Sequence, residues 1–128
     1  GDEMKDLIIR KCLNCQAIIK VIEDCKCDNC GIQCCEKPMK EIKANDSDGA
    51  VEKHKPTYTV SDDYITVNVD HVMDKDHYIE WICLLTDDTE EYIYFKPGDS
   101  ATVKFNKVPF GKIYSYCNKH GLWVTEIK

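Results

Sequence analysis

Cys117 and His120 stand three positions apart in a turn-like stretch, Cys117-Asn-Lys-His120-Gly121. That spacing makes a two-donor hook, one sulfur and one imidazole. Three more histidines lie upstream. His54 follows Glu52-Lys53, and His71 and His77 flank a short acidic loop. A lone histidine is ordinarily a surface or a satisfied core residue. Here each falls in a loop or at a strand end, near another donor or an ionic pair. One thiolate with several imidazoles suits a transition metal, iron first and zinc or copper next. Four imidazoles and one thiolate fill five positions of a six-coordinate ion, and an open position belongs to catalytic rather than structural sites. A thiolate opposite that opening raises the electron density on the metal and on whatever binds there. The chemistry that follows is reduction of a small oxygen species.

The cysteines form a second group. Of nine, seven lie between Cys12 and Cys35, and only Cys83 and Cys117 lie beyond. Cys12-Leu-Asn-Cys15 is a CxxC knuckle, which turns two thiolates toward one ion while local N–H groups stabilise their charge. Two pairs could complete a tetrahedron: the second knuckle, Cys27-Asp-Asn-Cys30, or the adjacent pair Cys34-Cys35. Adjacent cysteines can share an ion only where the backbone bends both side chains the same way. Four thiolates imply iron or zinc. Cys25 and the unused pair are expected to be spare thiols, or ligands of a group that the sequence does not identify. An odd cysteine count and the absence of an apolar run behind Asp2, Glu3, Lys5 and Asp6 argue against an exported disulfide framework and for a cytoplasmic location.

These donors need elements to hold them. The chain divides into a thiolate-rich head, residues 1–43, and a histidine-rich body, residues 51–128, joined by the polar, turn-forming linker 44–50. A head of some 40 residues sits near the lower limit for folding alone and needs a metal or crosslink. Its apolar runs, Leu7–Ile9 and Ala17–Ile22, read as strands from their β-branched content. In the body, Tyr64–Val69 alternates, with Ile65, Val67 and Val69 on one face, and Tyr78–Leu85 reads as a strand buried on most of both faces. Further strands are expected at Thr57–Val60, Glu91–Phe95, Ala101–Phe105, Ile113–Cys117 and Leu122–Ile127. Frequent turns separate them, and no long amphipathic helix appears. Seven short strands with such turns predict an antiparallel β-sandwich, so the chain is expected to be all-β. Trp81, Ile79 and Ile82 are expected in the core, and Cys83 as a buried, inert thiol. Tyr116 and Trp123 flank the hook and are expected to shield it.

Charge narrows the function further. Lysine and arginine number 17 against 23 acidic residues, a net charge of −6. No basic surplus exists to displace counterions from a phosphate backbone, so nucleic acid is not an expected partner. The apolar stretches are too short and too charged to cross a bilayer.

With the residues in view, the chain resembles the superoxide reductases. The resemblance rests on Glu52-Lys-His54-Lys-Pro56, on His71 with His77-Tyr-Ile-Glu-Trp-Ile82, and on Tyr116-Cys-Asn-Lys-His-Gly-Leu-Trp123. Cys12-x2-Cys15 with Cys34-Cys35-x2-Pro38-Met39-Lys40 resembles the family's desulforedoxin-like N-terminal domain. The two-domain form is desulfoferrodoxin. The resemblance spans nearly the whole chain. It implies that His54, His71, His77 and His120 are equatorial ligands of a mononuclear iron and that Cys117 is its axial ligand. It implies that Lys53 draws in the anionic substrate, that Glu52 occupies the open position once the iron is oxidised, and that Cys12, Cys15, Cys34 and Cys35 hold a second iron, or zinc, in a rubredoxin-like head. It further implies an immunoglobulin-like body, a homodimer, and one-electron reduction of superoxide to hydrogen peroxide with electrons from a donor such as rubredoxin. The chain departs from the family at Glu36, where glycine is usual, at Val72, where proline is common, and in having Cys25, Cys27 and Cys30. Two other classes of function remain to be weighed against this one: an electron carrier with the head as its only redox centre, and a zinc-stabilised binding module.

Overall fold

The computed structural model describes residues 5–46 and 49–128, apart from the side chain of Glu52. Two compact units emerge, Asp6–Lys43 and one built on Ala44–Lys128.

The smaller unit contains a three-stranded antiparallel sheet in the order β2-β1-β5, from Ile9–Lys11 (β1), Ile18–Lys20 (β2) and Lys40–Glu41 (β5). Between β2 and β5 lies a hairpin of two-residue strands, Gln33–Cys34 (β3) and Lys37–Pro38 (β4). Its core is small: Leu7, Ile9, Cys12, Val21 and Met39 are the buried apolar residues. An ion pair from Arg10 to Asp24, at 2.8 Å, ties the loop after β2 back to β1. The two hairpin-turn residues, Cys35 and Glu36, both have positive φ, +52° and +64°. Two left-handed residues in a two-residue loop match the twist of the flanking strands. The turn is also the bend that adjacent cysteines require.

The larger unit is a sandwich of seven antiparallel strands. After a single helical turn, Val51–His54 (α1), come Thr57–Val60 (β6), Tyr64–Asn68 (β7), Ile79–Leu85 (β8), Glu90–Tyr94 (β9), Thr102–Asn106 (β10), Gly111–Cys117 (β11) and Gly121–Ile127 (β12). One sheet runs β10-β7-β6 and the other β12-β11-β8-β9. All seven expected body strands are present, and the chain is all-β apart from α1. Ile65 and Val67 of β7 and Phe105 of β10 meet Ile79, Ile82 and Leu84 of β8, Ile113 and Cys117 of β11 and Ile127 of β12 in one buried cluster. Each fully buried aliphatic side chain contributes about 1.5–3 kcal/mol.

Strand β8 carries a bulge that sets its inward face. Tyr116 pairs with Trp81 and Cys117 with Ile79, leaving Glu80 as the extra residue. A bulge resets strict alternation, so Ile79 and Ile82, three apart, both reach the core. Trp81, Cys83 and Leu85 are buried on the opposite face, where Trp81 stacks on Tyr116 with centroids 5.4 Å apart. In the 44–50 stretch, Asn45 is pinned to β12: its N–H donates to the Leu122 carbonyl at 2.8 Å, and its Oδ1 accepts from the Val124 N–H at 3.0 Å.

Candidate metal centres

Five donors converge at one end of the sandwich. His54 ends α1, His71 follows β7 and His77 precedes β8. Cys117 ends β11, and His120 sits in the turn to β12. Their donor atoms all lie within 4.8 Å of one another. The four nitrogens fall in a ring. His71 Nε2 is 3.1 Å from His54 Nε2, which is 3.0 Å from His120 Nδ1, which is 3.3 Å from His77 Nε2. The His54 and His77 rings lie across from each other, with centroids 6.4 Å apart against 4.6–5.0 Å for neighbouring rings. Four nitrogens in a square, each about 2.1 Å from a shared ion, are about 3.0 Å apart along the edges. The sulfur of Cys117 is 3.4 Å from His71 Nε2 and 3.8 Å from His120 Nδ1.

Outer hydrogen bonds fix which nitrogens face inward. His54 Nδ1 donates to the Ala50 carbonyl at 2.7 Å, and His71 Nδ1 donates to the Val72 carbonyl. A neutral imidazole that donates at Nδ1 carries a lone pair at Nε2. Two such lone pairs 3.1 Å apart repel unless a cation lies between them. The donor chemistry therefore fits a metal ion and fits little else. Burial lowers the pKa of both His71 and His77, with the Lys119 and neighbouring imidazole charges adding to the effect at His77. Both shifts favour the neutral, ligating form. Burial raises the pKa of Cys117, while the N–H groups of Lys119 and His120 bond its sulfur and oppose that rise. A coordinated cation removes the remaining penalty on the thiolate.

Surrounding residues hold the ligands still. Trp123 stacks on His54 with centroids 5.1 Å apart, and its indole N–H donates to the His120 carbonyl at 3.1 Å. Ser115, wholly buried, donates to the His54 carbonyl at 2.7 Å. Asn118 ties the hook to the His77 loop: Oδ1 accepts from the Tyr78 N–H at 3.0 Å, and Nδ2 donates to the Asp76 carbonyl at 2.9 Å. At Gly49 a Cβ would come within 2.8 Å of His54 Cε1 and 3.0 Å of His120 Cβ. Sequence reading singles out Trp123 but not Ser115, Asn118 or Gly49. The Cys117-Asn-x-His spacing held a signal for Asn118; nothing local marked the other two. Lys53 is exposed and directly precedes His54. Glu52 lies in α1, and its side chain is outside the described residues.

The smaller unit brings Cys12, Cys15, Cys34 and Cys35 together, again with all donor atoms within 4.8 Å of one another. Cys15 and Cys34 sulfurs are 3.6 Å apart, and those of Cys34 and Cys35 are 3.9 Å apart. Sulfurs placed tetrahedrally about 2.3 Å from an ion are about 3.8 Å apart. The knuckle works as expected. The Cys15 N–H bonds the Cys12 sulfur at 3.4 Å and, with help from the Asn14 N–H, holds its pKa down near about 6. The Cys34 thiol, bonded first to Cys15 and then to Cys12, is pushed up to about 12. Cys12 thus takes a negative charge readily, whereas Cys34 needs a cation nearby to do so. Of the two pairs open in the sequence, Cys34-Cys35 completes this group. Cys30 instead forms a disulfide with Cys25, which corrects the expectation that the spare cysteines stay as thiols, and Cys27 is a free, exposed thiol.

Residues 46–126 match the family model described as Desulfoferrodoxin. The chain is 38% identical over 123 residues to desulfoferrodoxin of Nitratidesulfovibrio vulgaris, covering 92% of this chain and 94% of that one. It is 38% identical over 99 residues to desulfoferrodoxin of Clostridium acetobutylicum, covering 75% and 79%. In fold it is similar to the superoxide reductase from Treponema pallidum, with a TM-score of 0.71, 23% identity and coverage of 94% and 99%. Among the described residues, no helix is long and apolar enough to cross a membrane. A family match across the sandwich and a relative aligned over nearly the whole chain lead to one assignment: the chain belongs to the desulfoferrodoxin family.

Proposed function

We propose that this protein is a superoxide reductase, converting superoxide and two protons to hydrogen peroxide with one electron. The observation that carries the reading is the ring of inward-facing imidazole nitrogens closed by one buried cysteine sulfur. His54, His71, His77, His120 and Cys117 would hold the iron. Iron bound there would supply the one-electron reducing chemistry.

The chain's own residues do the rest. The body is acidic, with 9 basic against 13 acidic residues, so attraction of the superoxide anion is local and falls to Lys53. Water held at Lys53 passes protons to the leaving peroxide. Glu52, next to Lys53 in the sequence, would serve as a further ligand once that iron is oxidised. Cys117, held by backbone N–H groups, would donate electron density to the bound iron. Trp123 and Tyr116, both buried, keep water from the ligand side.

In this reading residues 1–43 form the head, 44–50 the join and 51–128 the catalytic domain. Cys12, Cys15, Cys34 and Cys35 hold the head's iron. The donor is a redox protein of the rubredoxin type, and the chain works as a cytoplasmic homodimer. The test is Cys117→Ser with superoxide supplied in pulses. Peroxide formation is expected to disappear while the visible absorption of the head survives. Turnover retained in that variant excludes Cys117 as a ligand that the reaction needs. An electron carrier would form no stoichiometric peroxide, and a zinc module would be colourless.

A further inference from the structure

Four cysteines have no part in either metal centre: Cys83 is buried in the sandwich, and of the three in the smaller unit two are joined. Cys25 and Cys30 form a disulfide across a separation of five residues, with Cα atoms 5.7 Å apart. The segment that carries it, from Val21 to Ile32, contains no strand. Opening the bond therefore breaks no sheet ladder. Both sulfurs are half-buried rather than sealed in the core, and Cys27, between them in sequence, is exposed. Reagents and exchange partners reach thiols in such a setting.

The base of the segment is fixed independently of the bond. Asp24 Oδ1 accepts from Arg10 Nη2 at 2.8 Å and from the Cys25 N–H at 2.8 Å. A carboxylate oxygen of Asp24 lies within 4.8 Å of both sulfurs. Paired with Arg10, Asp24 brings no net repelling charge to a nearby thiolate. Once reduced, the two thiols stay close, because the clamp and a loop of only six residues limit how far they separate.

We propose that Cys25 and Cys30 are a reversible dithiol–disulfide couple that reduces hydrogen peroxide. The Cys25 thiolate attacks one peroxide oxygen; an S–O bond forms, the O–O bond breaks, and the departing hydroxide leaves as water with the thiol proton. The Cys30 thiol then displaces the hydroxyl from the Cys25 sulfur, forming the S–S bond and a second water. Two thiols are oxidised for each peroxide reduced. An external dithiol reductant returns the pair to its thiol form by exchange. This rests on the superoxide-reductase reading only for the source of the peroxide.

The test supplies peroxide directly, so its failure is separate from failure of that reading. The full metal-loaded chain is treated with a dithiol reductant, desalted and given one equivalent of hydrogen peroxide. Free thiols are alkylated before and after, and mapped by peptide mass. The expected result is loss of two thiols per peroxide consumed, mapped to Cys25 and Cys30. Cys25→Ser should abolish that loss, and Cys27→Ser should leave it unchanged. The proposal is overturned if the bond resists the dithiol in the folded chain. It is equally overturned if peroxide oxidises Cys27 instead of closing the Cys25–Cys30 pair, or if Cys27→Ser abolishes the reaction.

Discussion

Substituting Gly49 by alanine tests how tightly the imidazole ring is held. The new Cβ would lie 2.8 Å from His54 Cε1 and 3.0 Å from His120 Cβ and Cγ, where ordinary contact begins at 3.4 Å. His54 must therefore yield by about 0.6 Å. It has little room to do so, because Ala50 holds its Nδ1 and Trp123 stacks on its face. A shift of that size moves Nε2 out of a square whose edges are already set by coordination. Disturbing the residues that position a ligand costs about 10–100-fold in metal affinity, or roughly 1.4–2.7 kcal/mol. Overpacking adds about 1–3 kcal/mol of lost stability. The assay is competition for iron against a chelator of known affinity, followed through the visible band of the body, with a thermal melt alongside. Gly31→Ala is the control, since a Cβ there meets nothing within 4 Å. The reasoning is refuted if Gly49→Ala retains iron within twofold of the parent.

Three further outcomes are expected. Ser115→Ala leaves the buried His54 carbonyl without its hydroxyl donor, and should lower the stability of the body by about 1–3 kcal/mol in guanidinium unfolding. Glu36→Gly relieves a left-handed residue at φ +64°; relief of about 1–2 kcal/mol set against about 0.4–1 kcal/mol of added chain entropy leaves a net gain, read as slower chelator extraction of the head metal. Asp24 has its pKa lowered below the ordinary 3.8, first by its hydrogen bond from Arg10. Its contribution is therefore complete above that value and is lost as pH falls through the folded pKa. The stability difference between the parent and Asp24→Asn should be flat above about pH 4 and shrink below it, as followed by circular dichroism.

The body's strands were legible because they are long enough to show a period. Ile65 and Val67 alternate with half-exposed or exposed neighbours, and β8 is apolar on both sides because both its faces are buried. The two-residue strands of the head are too short for any period to register. The single turn α1 is equally invisible, since four residues complete barely one helical repeat. The ligand set was legible from motifs alone, because donor types and spacings carry the chemistry. The choice between the Cys27/Cys30 pair and Cys34-Cys35 was not legible from spacing, and only the family resemblance pointed to Cys34-Cys35. The choice depends on the paired positive φ angles at Cys35 and Glu36, and neither residue is the glycine that announces such a turn. Gly49 and Ser115 escaped notice because their roles come from tertiary proximity, to residues 71 and 61 positions away respectively.

The chain has two tryptophans. One lies flat against a ligand imidazole, and the other is stacked on the tyrosine that precedes the sulfur ligand. Their emission is thus an internal gauge of metal loading: a bound ion that absorbs in the near ultraviolet or visible drains the excited state, and its release restores the light. Occupancy of the centre can be followed in dilute solution without dye or label, even where the visible colour is too faint to see.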